Sequence, residues 1–248
     1  MTELKAEDVG LMHTDAFEQL TELYRNEKPK SELDMMMDVS EIVAGYCGED
    51  DSACKNSAYE ATLKTFQDKT EFDFDNIEYP DDFHAGLKQS IDSMHETIKQ
   101  IDVDNLEEVV GTLLEITDEI NEMEDVNEAQ RAVVQASMSI AVESTKLWHN
   151  VHYVAEDHPL RHLKSSGNRK LQTPLTEETN ANLLGIFVIP YNIISADVAS
   201  GLANGVNLLN AVGGGGAAGL VYWLPVLLIS IGYFAIPASL RAAVSPLN

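Results

Sequence analysis

The chain has 248 residues, of which 41 are acidic and 16 are basic, and its formal net charge at pH 7 is −25. A chain of this length can bury a hydrophobic core, as one domain or as two. Because so acidic a surface repels a phosphate backbone at long range, nucleic acid is excluded as an expected partner.

The charge is distributed unevenly along the sequence. Residues 181–248 contain only two charged side chains, Asp197 and Arg241, so the rest of the chain carries the whole net charge of −25. A long uncharged segment indicates a membrane or a large buried interface, because a soluble domain exposes part of its chain to water. We therefore predict an acidic helical bundle at 1–157, a basic and polar linker at 158–180, and a hydrophobic, membrane-associated region at 181–248.

Two helices are predicted near the N-terminus, after a loosely ordered start that covers residues 1–14. The first is a short helix at 15–26, where apolar residues fall on one side. The second begins after Ser31, which has the position of an N-cap with an acid at the third helical position, and ends at Gly45 or Gly48.

A third helix is predicted at 52–68, followed by a stretch of a different pattern. Residues 70–82 alternate apolar with acidic side chains, which ordinarily favours a β-strand. No partner strand is visible elsewhere in the sequence, so we predict an extended loop that lies on the helices.

The chain contains two cysteines, Cys47 and Cys54, at the turn between two predicted helices. Their spacing fits neither a zinc pair nor a redox motif, and it favours a disulfide across the turn. Such a short loop gives a stabilisation of about 2–3 kcal/mol. Two free thiols in a reducing compartment are the alternative. A disulfide would place the acidic domain in an extracellular or lumenal space.

The clearest helical periodicity lies between residues 83 and 156. Apolar residues recur every three or four positions at 83–101, and in a strict heptad at 106–123, for which Asp104 is the predicted cap. A longer helix at 127–156 carries a broad apolar surface, typical of a helix buried on two sides. Short connections make such helices antiparallel neighbours, so the predicted fold is all-α, an antiparallel helical bundle.

Residues 217–240 form an uncharged segment that is long enough to cross a bilayer. A helix of that length covers about 36 Å, against a hydrocarbon core of about 30 Å. A helix buried inside the protein is the alternative. The residues predicted to contact the membrane are Leu220, Trp223, Leu227, Leu228 and Phe234, with Arg241 at the flank.

The membrane region has two versions. A second apolar segment at 183–190 and a run of four glycines at 213–216 allow a hydrophobic hairpin. A single span at 217–240 would instead leave the bundle outside the membrane, in agreement with the disulfide, and this version is preferred.

A histidine cluster is the one candidate for a metal or proton-binding site. His149 and His152 lie one helical turn apart, and Glu156 continues the same face. Such a group binds a transition metal or senses pH near 6. Ordinary surface histidines are the alternative. No nucleophile elbow, P-loop or dinucleotide fingerprint occurs, so we expect no enzyme, no catalytic residue and no cofactor.

The predicted function is that of a membrane-anchored, non-enzymatic interaction or structural protein. Its acidic helical domain would be presented to a protein partner, a basic one for preference, while the lipid bilayer holds the C-terminal region. The alternative is a membrane-inserting protein with a sheltered hydrophobic hairpin. In that version the layout resembles pore-forming toxin domains, without a shared motif.

Overall fold

The computed structural model describes residues 5–26, 31–47, 51–67, 74–102, 104–155, 157–160, 179–212 and 217–244. These ranges contain eight α-helices, a 3₁₀ turn and a π-helical turn, and no strand, which confirms the all-α prediction. The elements are α1 (Ala6–Asn26), α2 (Glu32–Gly45), α3 (Ser52–Gln67), the 3₁₀ turn (Phe74–Asn76), α4 (Ala85–Ile98), α5 (Leu106–Glu122), α6 (Glu128–His149), the π-helical turn (Asn150–Val154), α7 (Thr179–Val212) and α8 (Ala217–Val244).

Helix α1 begins at Ala6, so the prediction of a loose start is wrong for residues 6–14. Its first part is helical because it packs closely on α6. The Gly10 amide donates to the Ser139 hydroxyl at 3.0 Å, and a Cβ at Gly10 would come within 2.3 Å of the Ser139 carbonyl oxygen. A glycine is needed here for the approach of two helices.

Of the two helix caps predicted from the sequence, the one at Ser31 is confirmed and the one at Asp104 is wrong. Ser31 accepts from the Asp34 amide at 3.1 Å, as predicted for the start of α2. Asn127 caps α6 by accepting from the Ala129 amide at 2.9 Å. At α5 the cap residue is Asn105 and not Asp104. The Asn105 side chain accepts from the Asp102 amide at 2.7 Å, so it holds the loop before the helix.

The heptad of α5 is confirmed as a core-facing stripe. Val109, Leu113, Ile116 and Ile120 are buried, and α5 packs against α4 and α6. The periodicity therefore identified the inner face of this helix correctly.

The described part of the predicted loop at 70–82 does lie on the helices. Phe74, in the 3₁₀ turn, is buried and stacks on the His95 ring of α4 with ring centroids 4.2 Å apart. The long helix predicted at 127–156 is α-helical only to His149. A π-helical turn follows, in which the Ala155 amide donates to the Asn150 carbonyl at 2.9 Å.

Helices α7 and α8 flank residues 213–216 and pack extensively against each other. We call this pair the hairpin, and helices α1 to α6 the shell. Helix α8 also contacts α1, α2, α3 and α6, so it occupies the centre of the bundle. Residues of both regions, such as Leu113 and Leu228, belong to a single hydrophobic core. The described part of 181–248 thus packs into the bundle predicted at 1–157.

The membrane span predicted at 217–240 needs correction. Over the residues that the structure describes, none of the helices combines the length and apolarity that crossing a membrane requires. Leu227 and Leu228, predicted to contact lipid, are buried inside the protein. The segment lacks charge because its second half faces other helices, which is the buried-helix alternative.

Candidate functional site

The polar contacts between the hairpin and the shell form the candidate site. The sequence has only two charged side chains in its C-terminal quarter, Asp197 on α7 and Arg241 on α8. Both contact the shell. Because the hairpin is almost uncharged, it makes few polar contacts, and each of them contributes to fixing its position against the shell.

The most buried of these contacts is the Asp197 cluster, which consists of His13, Ser144 and Asp197 from three different helices. All three side chains are completely buried. The Asp197 Oδ2 atom lies 3.3 Å from Nε2 of His13 and accepts a hydrogen bond from the Ser144 hydroxyl. The cluster therefore joins α1, α6 and α7 at one point in the core.

The cluster is incompletely satisfied. Within the described residues, both ring nitrogens of His13 and Oδ1 of Asp197 are buried without a hydrogen-bond partner. Leaving a buried polar group without a hydrogen bond costs about 1–3 kcal/mol. Polar groups in such an arrangement are commonly functional, because packing alone would favour apolar residues at these positions.

The order of the three side chains argues against a hydrolase triad. In a triad the histidine lies between the nucleophile and the acid, so that it takes the proton from the hydroxyl. Here Asp197 lies between the other two, and Ser144 donates to the carboxylate. The arrangement, with all three side chains fully buried, is suited to holding helices together.

Aromatic packing connects the Asp197 cluster to the π-helical turn. The ring of His13 lies 4.9 Å from that of Phe17, which lies 5.4 Å from Trp148. Trp148 in turn stacks on His152, with centroids 5.9 Å apart. A continuous row of packed rings therefore connects the cluster to the end of α6.

The second contact joins α8 to the disulfide of the shell. Cys47 and Cys54 are bonded, as the sequence predicted. Their Sγ atoms lie 3.2 Å and 3.4 Å from the Tyr233 hydroxyl. Burial, with a smaller effect of the Asp51 carboxylate, raises the pKa of Tyr233 to about 12. The phenol therefore stays protonated and uncharged against the two sulfur atoms.

Arg241 makes the third contact, near the other end of α8. Its Nη1 donates to the Thr65 carbonyl at 3.1 Å, in the last turn of α3. A cation is favourable at this place because the carbonyl end of a helix is partly negative. Sequence reasoning placed Arg241 at a membrane flank, and the structure gives it a protein partner.

Two further hydrogen bonds hold α7. The Tyr191 hydroxyl lies 2.9 Å from Nε2 of His95 on α4, and Nδ2 of Asn210 donates to the Glu78 carbonyl at 3.3 Å. The described contacts of the hairpin with the shell are thus a few polar contacts on a large apolar surface.

The two histidines of the predicted cluster have different neighbours in the described structure. His149 is buried with its ring 5.0 Å from Tyr153, whereas His152 stacks on Trp148. Glu156 lies outside the described residues, and no three ligand-type side chains converge elsewhere in the described chain. The expectation that His149 is a surface residue is wrong, and its role in metal binding or pH sensing stays a prediction.

The remaining predicted membrane residues have different surroundings. Leu227 and Leu228 are buried, and Phe234 is half-buried. The side chains of Leu220 and Trp223 lie outside the described part of the structure.

Sequence reasoning missed His13 and Ser144 as parts of a site. The available signal was Asp197 itself, since a lone acid in an apolar helix requires a partner in the core. Nothing in the sequence identifies which histidine or serine that partner is.

No family model, no curated protein and no solved structure matches this chain.

Proposed function

We propose that the protein binds membranes through the α7–α8 hairpin, which the acidic shell shelters until a change in conditions releases it. The observation that carries this proposal is the central position of α8, an almost uncharged helix in contact with five others. Many of its described side chains are apolar and belong to the common core, while Tyr233 and Arg241 make polar contacts with the shell.

The physical basis is that apolar side chains are stabilised to a similar degree by burial in lipid and by burial in a protein core. The hydrophobic effect removes such side chains from water without preference for the material that covers them. A hairpin with few polar contacts to the shell can therefore move from the protein core into a bilayer if those contacts break. Acidic residues of the shell remain in water in both states.

The alternative is constitutive anchoring, in which the C-terminal region faces lipid at all times. Burial of Leu227 and Leu228 within the chain supports a sheltered hairpin better. The lipid bilayer remains the proposed partner of this region. The disulfide supports an extracellular or lumenal location, because thiols in the cytosol are kept reduced.

The experiment opens the Asp197 cluster and measures binding to vesicles. His13→Leu removes the imidazole from beside the Asp197 carboxylate and leaves the Ser144 hydroxyl as its donor, which weakens the joint between α1 and α7. We expect this variant to float with phosphatidylcholine vesicles, whereas the unaltered protein stays in the soluble fraction at pH 7. The double variant His13→Leu/Asp197→Leu replaces both side chains with apolar groups. Its vesicle binding should therefore return towards the level of the unaltered protein.

Leu113→Ala is the matched control. It destabilises the protein by about 2–5 kcal/mol at α5, which packs on α4 and α6, and it leaves the Asp197 cluster unchanged. If the control bound vesicles as strongly as His13→Leu, binding would result from apolar surface exposed by any unfolding and not from release of the hairpin. Absence of binding in His13→Leu, with loosening shown by hydrogen exchange in α7, would contradict the proposal.

A further inference from the structure

A surface groove is formed by residues of α1, α5 and α6 and by Lys5 before α1. Its volume is about 540 Å³. The apolar part of its lining comes from Leu11, Leu114, Met138 and Val142. One end is crossed by a hydrogen bond of 2.6 Å from the Gln135 side chain to that of Asn121.

Two leucines of the groove are unusually exposed. Leu11 is 59% exposed and Leu114 is 50% exposed, although both line the same depression. Leucine side chains in a concave surface favour an apolar occupant, because covering them removes their surface from water.

The charges around the groove are sharply biased. Its two lysines, Lys5 and Lys146, are already paired with Glu7 at 3.4 Å and Glu143 at 2.7 Å. Helix α5 has no lysine or arginine at all. The groove therefore offers no uncompensated positive charge.

The acids of α5 lie directly beside the exposed leucine. Asp118 follows Leu114 by one helical turn and Glu122 follows Asp118 by another, so they share a side of the helix. Glu107 lies on the same side, two turns earlier. All three are exposed, and none forms an ion pair within the described chain. The apolar side chains of the groove thus lie beside carboxylates that form no ion pair within the described chain.

We propose that this groove docks an amphipathic helix of a basic partner protein. Apolar residues of that helix at spacings of three and four would cover Leu11 and Leu114. Its lysines or arginines would face Asp118 and Glu122. The formal net charge of −25 attracts such a partner at long range and repels a second copy of this chain, which favours the basic helix over self-association.

The test uses a synthetic helix of leucine, lysine and alanine, about 18 residues long so that it can form a stable helix. Its leucines occupy one face and its lysines flank them. Binding to the full chain is measured by fluorescence anisotropy at low and high salt. We expect saturable binding that weakens with salt, because exposed charge pairs are screened.

Variants then locate the binding surface. Leu114→Gln should weaken binding about tenfold, and Leu33→Gln, an equally exposed leucine on α2, should leave it unchanged. Asp118→Asn should weaken binding more than Glu119→Gln, which lies further around α5 from the groove. Circular dichroism verifies that each variant is folded.

Three results would overturn the proposal. A scrambled peptide of the same composition that binds equally well would show charge attraction without a groove. A peptide with glutamate in place of lysine that binds equally well would remove the basic partner. If sedimentation showed a dimer of the unaltered chain and a monomer of Leu114→Gln, the groove would be assigned to a second copy of this chain.

Discussion

The shell and the hairpin are both helical, but they are stabilised by different chemistry. In the shell, the apolar stripe of α5 lies opposite an acidic face, so this helix has one inner side and one outer side. Helix α6 is buried over a broader surface. In the hairpin, α8 carries no acid and a single base, and it is surrounded by protein. The shell's orientation is set by hydrophobic pattern, whereas the hairpin's is set by its neighbours and a few polar contacts.

Because of this difference, the two regions should respond differently to the loss of a single contact. A shell helix that loses one contact keeps its amphipathic preference for the same side. The hairpin has no such preference, so loss of a polar contact removes part of what fixes its position. Substitutions that compare the two regions test this directly.

The largest effect is expected from a charge placed in the hairpin. Leu228 is 1% exposed, and Leu228→Arg would bury a guanidinium without a partner, at a cost of about 5 kcal/mol or more. We expect loss of the cooperative thermal transition measured by circular dichroism. Leu114→Arg, at an exposed shell position, should leave the transition nearly unchanged. A normal transition in Leu228→Arg would mean that α8 is not central in solution.

The next effect compares neighbouring leucines within the shell. Leu113→Ala should lower the free energy of unfolding by about 2–5 kcal/mol, since the side chain is fully buried. Leu114→Ala, one position further, should change it by less than about 0.5 kcal/mol. Urea unfolding measures both, and equal losses would contradict the orientation of α5.

A smaller effect is expected from the disulfide. Cys47→Ser/Cys54→Ser removes a bond whose short loop contributes about 2–3 kcal/mol. The urea midpoint should fall by a corresponding amount, and addition of a dithiol reductant to the unaltered protein should reproduce the shift. No change under either condition would mean that the cysteines are not paired in solution.

The smallest effect is an alkaline one at the contact between α8 and the disulfide. Because the pKa of Tyr233 is raised from 10.0 to about 12, the folded state holds the phenol proton more tightly than the unfolded state does. Stability is thus fully present below pH 10 and is lost as the pH rises towards 12. Tyr233→Phe should lose less stability over this interval, as measured by urea unfolding at fixed pH values. An identical pH profile in the variant would contradict burial of this hydroxyl.

Sequence reasoning succeeded where one helix decides its own inner face. The heptad of α5, the cap at Ser31 and the pairing of the cysteines were all predicted from local pattern. The start of α1 was missed because its helical state depends on the contact of Gly10 with α6, far along the chain.

The position of the hairpin was beyond the reach of sequence for a physical reason. An uncharged helix satisfies the same requirement in lipid and in a protein core, so composition alone does not distinguish them. The cluster around Asp197 was equally inaccessible, because its partners His13 and Ser144 are assembled only when three helices meet.

The disulfide has one consequence for chain connectivity. It joins residues only 7 apart in sequence, so the covalent ring that it closes contains the link after α2 and the first residues of α3, and no part of α8. Tyr233 touches the ring from outside. Movement of the hairpin therefore requires no bond to be cut and no segment to be threaded through another. Reduction of the ring and departure of the hairpin are topologically separate events, and each can occur first.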